Sequence, residues 1–207
     1  MGESNQIPEQ LEYVRKFESQ LGVPTGFFEA LRAEDDWSFV VKLHALVEAA
    51  ATNLLVEAFD KPELRDQFTR LPLSDSGCGK LSLLKSLNIV SSPYRGFIQT
   101  LSELRNLAVH NVEQTSLSLK VMVQESPKDK RKAWAKTLGV GLRGSDAIRL
   151  EILQTDPKGL IWISALCLIS LLALHKESLK SENNIAKLGQ VALELISWEH
   201  DKSCKQE

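Results

Sequence analysis

The chain has few of the residues that stabilise secreted or metal-dependent proteins. Its 207 residues include three cysteines, Cys78, Cys167 and Cys204, without Cys-x-x-Cys or Cys/His ligand spacing. An odd number of scattered cysteines argues against a disulfide framework and gives no zinc-ligand pattern. We therefore expect no metal and no cofactor. The polar start of the sequence, MGESNQIPEQ, lacks the apolar segment of a secretion signal, so we expect a cytoplasmic protein.

Aromatic residues (6%), glycines (11) and prolines (7) are also few, which favours helices over a turn-rich β-sandwich. The apolar (43%) and charged (25%) fractions are those of an ordinary globular protein. The formal net charge is only −2, so the molecule has no global field that would draw it onto nucleic acid or an acidic membrane. Any contact with RNA must therefore use a local basic patch.

Long apolar runs are absent except between Leu160 and Leu174, where only Ser164 and Ser170 are polar. This run is shorter than the roughly 20 residues that a bilayer span requires. We interpret it as a helix buried in protein and expect no membrane association. A membrane-tethered helical protein is the alternative, and it rests on this run alone.

Apolar residues recur at helical spacing along most of the chain, which predicts a mainly α fold. The predicted helices cover about residues 8–21, 37–59, 80–90, 93–110, 126–136, 160–174 and 182–198. In two segments, 117–123 and 148–152, apolar and polar residues alternate instead, which is the period of a strand. We therefore predict a small β-hairpin-like excursion within residues 116–155.

Two polar residues lie within the apolar surface of the long helix over 37–59. His44 and Glu48 are one helical turn apart, on the same side, and are expected to be at least partly buried. Their spacing would suit two metal ligands, but no third ligand follows a supporting pattern. We interpret them as a satisfied pair in the core.

The helix over 93–110 separates an apolar stripe from a polar one. Its apolar residues are Phe97, Leu101, Leu104 and Ala108, and its polar residues are Gln99, Glu103, Asn106 and His110. Arg105 lies at the edge between the two stripes. Metal-free cleavage of RNA needs a proton shuttle, which His110 can supply, and a cation for the phosphorane, which Arg105 can supply. Asn106, on the same face as His110, can orient the imidazole or hold the phosphate.

Arg105 and His110 are separated by about 140° around an ideal helix, so one chain does not bring them together easily. A second copy offers a solution, because a two-fold axis on the polar stripe would place two copies of each group in one cleft. We therefore expect a homodimer.

The segment from Ser102 to Asn111, SELRNLAVHN, resembles the signature of the HEPN superfamily, an Arg followed after four to six residues by a His. The resemblance covers about residues 37–112, with a helix over 160–178 as the closing member. It implies an up-and-down helical bundle over 37–178 with an insertion at about 116–155, an N-terminal helical extension over 1–36 and a C-terminal helix over 179–207. The order of helices also resembles the mannitol operon repressor branch, for which regulation is the proposed role.

The resemblance implies a metal-independent endoribonuclease of toxin or host-defence type, with Arg105, Asn106 and His110 at a homodimer interface. RNA and an antitoxin or regulatory protein are the partners that it implies. It also makes Glu48 a candidate to hold Arg105, and we expect Glu48 to hydrogen-bond either Arg105 or His44. The alternative function is a non-catalytic dimeric regulator or interaction protein resembling the mannitol operon repressor. A purely structural interpretation of the motif also stays open, in which Arg105 pairs with Glu48 and His110 only ends a helix.

Two further segments contain residues that could contact phosphate. The helix over 126–136 carries five candidate RNA-binding residues, for which the alternative is a solvated helix face: Lys128, Lys130, Arg131, Lys132 and Lys136. Residues 74–81 superficially resemble a nucleotide-binding loop. That loop would need Gly at Ser74 and Ser or Thr at Leu81, so we exclude nucleotide hydrolysis.

Overall fold

The computed structural model of the chain describes residues 22–75, 77–110 and 117–203, together with Arg15, Glu18 and Ser19. These residues form helices and no β-strand, which confirms the mainly α prediction. The helices are α1 (Phe27–Ala33), α2 (Asp36–Ala58), a 3-10 turn (Pro62–Leu64), α3 (Arg65–Arg70), α4 (Lys80–Ser86), α5 (Ser92–His110), α6 (Leu119–Glu125), α7 (Lys128–Leu138), α8 (Asp146–Thr155) and α9 (Pro157–Ser203). The helix predicted over 8–21 lies outside the described residues except for Arg15, Glu18 and Ser19.

The predicted β-hairpin-like excursion is wrong, because its two segments lie in α6 and α8. Each helix begins at a serine whose hydroxyl accepts a backbone N–H, Ser118 from Val121 and Ser145 from Ile148. In α6 the buried residues are Leu119 and Val123, which are one helical turn apart. An alternating pattern contains this i, i+4 pair, so over a few residues it also fits a helix.

Helix α2 is the centre of the fold and packs against α9, α5, α3 and α4. It begins at Asp35, whose carboxylate accepts the backbone N–H of Ser38 at 2.9 Å. Eight of its apolar side chains are almost fully buried: Phe39, Val40, Leu43, Val47, Ala50, Ala51, Leu54 and Leu55. Of its polar side chains, those of His44 and Thr52 are buried among these apolar residues and must find partners inside the protein.

The apolar run 160–174 forms part of α9 and packs on α2. The helices predicted over 160–174 and 182–198 are one continuous helix, since nothing between them contains a proline or glycine. Both α2 and residues 157–191 of α9 are long and apolar enough to cross a bilayer. Within these helices, 67% and 50% of the most apolar stretch is buried against the rest of the chain. Burial in a protein core accounts for much of this hydrophobicity.

Helix α5 lies antiparallel to α2, with the end of α5 beside the start of α2. The indole Nε1 of Trp37 donates to the carbonyl of Ala108 at 2.8 Å and so satisfies one of the orphan carbonyls of the last turn. Further along, Nε2 of His44 lies 3.1 Å from Oγ of Ser102. The predicted apolar stripe of α5 is buried, with exposed fractions of 0–2%. Because this stripe is held in the core, the opposite, polar face of α5 points away from the core.

Candidate functional site

The polar stripe of α5 faces solvent. Gln99, Glu103, Asn106 and His110 are all exposed, and His110 is the last residue of the helix. Leu107 lies beside the stripe and is 43% exposed, so the same surface carries an apolar side chain. This arrangement gives a polar face with one exposed leucine near the end of a rigid helix.

Arg105 is half-buried, and its charge is close enough to α2 to lower the pKa of His44. Its Nη1 donates to Oδ1 of Asn106 at 3.2 Å. The structure therefore brings Arg105 and Asn106 together. The His110 imidazole is not brought into this contact, because it forms no hydrogen bond or ion pair with any residue in the described ranges.

Glu48 binds Lys80, so the expectation that it hydrogen-bonds Arg105 or His44 is wrong. The Lys80 side chain is fully buried, and its Nζ donates to Oε1 of Glu48 at 2.7 Å. It also donates to the carbonyls of Leu71 at 2.6 Å and Thr69 at 3.3 Å. These three acceptors use all the donors of an ammonium group. Lys80 is thus a structural cation, although a pocket of about 280 Å³ opens beside it.

Gly79 is what allows Lys80 to reach this position. A Cβ on Gly79 would lie 2.6 Å from the carbonyl oxygen of Asp75 and 2.8 Å from that of Pro72. Any other residue would therefore push the loop away from the start of α4. The sequence contains a signal for this ion pair, namely Glu48 within an apolar helix and the later pair Gly79-Lys80. It does not identify which of the chain's cations contacts Glu48.

The Lys80–Glu48 ion pair leaves Arg105 without the carboxylate partner that the sequence suggested for it. Glu48 already has a cation, and Arg105 forms no ion pair with a carboxylate in the part of the chain that the structure describes. The alternative in which Arg105 only neutralises Glu48 is therefore wrong. A guanidinium without a carboxylate remains able to bind a phosphate in a bidentate manner.

His44 is a neutral core histidine. The Ser102 hydroxyl donates to the carbonyl of Ile98 at 2.9 Å, so its oxygen accepts from Nε2 of His44. Burial lowers the pKa of His44. The charge of Glu48 opposes this shift, while those of Arg105 and Lys80 add to it. A buried neutral imidazole with its Nε2 hydrogen-bonded cannot act as a proton shuttle for an exposed substrate. Among the described residues, no cluster of three or more His, Cys, Asp or Glu could hold a metal ion.

The basic residues of α7 do not form one surface with the motif. Lys128, Lys132 and Lys136 form an exposed stripe, whereas Lys130 covers the ring of Trp134 at 4.6 Å. Arg131 is half-buried and donates to the carbonyl of Gln124. Helix α7 contacts α5 through Thr137, whose hydroxyl lies 3.3 Å from that of Thr100. The lysine stripe is turned about 140° from Thr137, so it faces away from α5.

The loop over 74–81 cannot cradle a nucleotide phosphate. Oδ1 of Asp75 accepts the backbone N–H groups of Gly77 and Cys78, both at 2.8 Å. These bonds, that of Cys78 first, lower the pKa of Asp75. The Asp75 charge in turn raises the pKa of the Cys78 thiol, which makes it a poor nucleophile. The carboxylate therefore occupies the backbone N–H groups with which such a loop would bind a nucleotide phosphate.

No protein-family model, characterised protein or solved structure matches this chain. A function for it must therefore be argued from the arrangement of its own residues.

Proposed function

We propose that the chain is a metal-independent endoribonuclease of toxin or host-defence type, with Arg105, Asn106 and His110 forming a composite site at a homodimer interface. The observation that supports this most directly is that Arg105 has no carboxylate partner among the described residues. Its guanidinium is bound to Asn106 and to no carboxylate among the described residues, and it lies on the same helix end as the exposed His110. A cation for a phosphate and a titratable base thus occur within two helical turns.

The proposed reaction is attack by the ribose 2′-hydroxyl on the adjacent phosphate. His110 takes the 2′-hydroxyl proton, the new bond forms at phosphorus, and the bond to the 5′-oxygen breaks. The imidazolium that results then donates this proton to the leaving 5′-oxygen. Arg105 stabilises the charge on the non-bridging oxygens, and Asn106 holds the guanidinium in place. The products are a 2′,3′-cyclic phosphate and a 5′-hydroxyl.

The dimer is proposed because one chain leaves His110 and Arg105 on different sides of α5. A two-fold axis across the polar stripe would bring His110 of one copy toward Arg105 of the other. Leu107, which is 43% exposed beside the stripe, would lose its contact with water in such an interface.

The test is to incubate purified protein with total RNA in the presence of a chelator. We expect cleavage by the wild type, and a rate 10²–10⁴-fold lower for His110→Ala, as is typical for loss of a general acid–base group. His175→Ala, on α9, is the matched control and should be fully active. Arg105→Ala should also be inactive and should stay folded, because Glu48 keeps Lys80 as its partner. Cleavage that survives His110→Ala, or that the chelator abolishes, would overturn this mechanism.

A second candidate function is a non-catalytic dimeric regulator resembling the mannitol operon repressor. It is favoured by one specific observation, which is that no described residue orients the His110 ring. This candidate predicts the same dimer with no RNA cleavage, and an antitoxin or other regulatory protein as the partner.

A further inference from the structure

A second polar pocket opens at the other end of the polar stripe of α5. It has a volume of about 200 Å³ and lies between α4, the loop before it and the first half of α5. Six polar residues line it: Ser74, Asp75, Ser82, Lys85, Arg95 and Gln99. Gln99 belongs to the same stripe as Asn106 and His110. The pocket, termed here the α4–α5 pocket, therefore lies along the same face of α5 as the candidate site.

The α4–α5 pocket contains two cations without counterions. Lys85 is exposed and Arg95 half-buried, and neither forms an ion pair with a carboxylate in residues 22–75, 77–110 and 117–203. Nη1 of Arg95 donates to the carbonyl of Val90 at 2.6 Å, which fixes the guanidinium while leaving its other N–H groups for a ligand. A fixed guanidinium loses little freedom when it binds an anion, so its position favours binding.

The charge of the pocket matches one phosphodiester. Among the described residues that line it, the only carboxylate is that of Asp75, and Oδ1 of this group is already occupied by two backbone N–H groups. The two cations and this carboxylate leave one positive charge, equal and opposite to that of a backbone phosphate. A multiply charged free nucleotide would be balanced less well.

We propose that the α4–α5 pocket binds a backbone phosphate of the RNA strand whose cleavage takes place at His110. This inference rests on the proposed function and extends it, since it makes the substrate a strand of several nucleotides. From Gln99 to His110 the helix rises about 16 Å, which is too far for one phosphate to reach both. Glu103 lies between them, and its carboxylate repels a phosphate but accepts a bond from a ribose hydroxyl. A sugar therefore lies at that position.

The test measures binding separately from cleavage. The His110→Ala variant is titrated with a labelled single-stranded RNA of roughly 12 nucleotides at several salt concentrations, using fluorescence anisotropy. Adding Lys85→Ala should weaken binding several-fold and reduce the slope of log affinity against log salt by about 0.7, the value for one phosphate contact on a single strand. Arg95→Gln should have the same effect. Lys180→Ala, an exposed lysine of α9 that does not line the pocket, is the matched control and should change neither quantity.

The outcomes separate the pocket from the nuclease. If Lys85→Ala leaves both affinity and salt slope unchanged, or if the protein binds no RNA, the α4–α5 pocket is not a phosphate site. If binding depends on Lys85 but the wild type cleaves no RNA, the pocket stands and the nuclease is overturned. If the wild type does cleave RNA, Lys85→Ala should raise KM for the long strand while leaving kcat, and the cleavage of a dinucleotide, unchanged.

Discussion

Lys80 joins three segments of the chain through one ammonium group. Glu48 lies on α2, Thr69 on α3, and Leu71 follows α3, so the lysine fixes the positions of both helices relative to the start of α4. A buried charge is tolerated only with such a complete set of acceptors. The pair is thus a requirement of the fold, whatever the reaction at α5.

Removing Lys80 should therefore destabilise the protein strongly. Lys80→Met keeps most of the volume but leaves Glu48 without a cation, and breaking such a pair typically costs about 3–5 kcal/mol. We expect the lower end of this range, because the Glu48 side chain is 33% exposed and water can hydrate it. Urea unfolding measures the change. Lys85→Met, on the exposed side of the same helix, should cost less than about 0.5 kcal/mol, and equal stability of the two variants would contradict this role.

His44 should make stability depend on pH. The fold lowers the pKa of His44 from 6.5, chiefly through burial, so the unfolded chain takes up its proton at a higher pH than the folded chain. Stability from this residue is therefore fully present above about pH 6.5 and falls as the pH decreases below it.

The check compares urea unfolding at about pH 7.5 and about pH 5.5 for the wild type and His44→Gln. Glutamine keeps an N–H donor for Ser102 but does not titrate. We expect the wild type to lose more stability on acidification than the variant does. An identical loss would mean that the fold does not lower the pKa of His44, and a smaller loss in the wild type would mean that the folded protein keeps His44 protonated.

At the scale of the helices, periodicity predicted most of the architecture. The 3.6-residue repeat identified α2, α5, α7 and the apolar part of α9, because each buries one continuous stripe or, for α2, most of its surface. It failed over α6 and α8, where a few alternating residues fit both periods. The N-capping hydroxyls of Ser118 and Ser145 were the local signal that decides between them.

The candidate site could be predicted only in part, for a related reason. The exposure of Asn106 and His110 follows from the helical phase of α5 alone. The identity of the residue that binds Glu48 does not follow from helical phase, because this contact depends on how the loop at Gly79 places Lys80 against α2. Sequence spacing within one helix cannot determine contacts between helices that are distant in the chain.

At the scale of the whole molecule, two surfaces of the described residues are candidates for the homodimer interface. One is the polar stripe of α5 with Leu107. The other is the outer part of α9, where several large apolar side chains are at least half exposed: Leu174, Ile185, Leu188, Val191 and Leu193. Only a dimer through α5 would assemble the proposed composite site, so the choice of surface decides whether the mechanism is possible.

Mixing two inactive variants tests the composite site directly. In a dimer of His110→Ala with Arg105→Ala, one chain supplies an intact Arg105 and the other an intact His110. If the site contains residues of both copies, the mixed dimer should regain RNA cleavage that neither variant has alone, because one complete Arg–His pair is restored across the two-fold axis. The rate of RNA cleavage is measured after the two variants are mixed and allowed to exchange subunits.

The matched controls locate the interface. Leu107→Arg places a charge beside the polar stripe and should convert the dimer to a monomer by light scattering at micromolar concentration, which would also abolish the recovery of activity. Leu188→Arg, on the outer part of α9, should leave both the dimer and the recovery intact. If Leu188→Arg dissociates the dimer and Leu107→Arg does not, the two copies meet through α9 and His110 of one chain cannot reach Arg105 of the other. A wild-type protein that is monomeric under these conditions would exclude the composite site altogether.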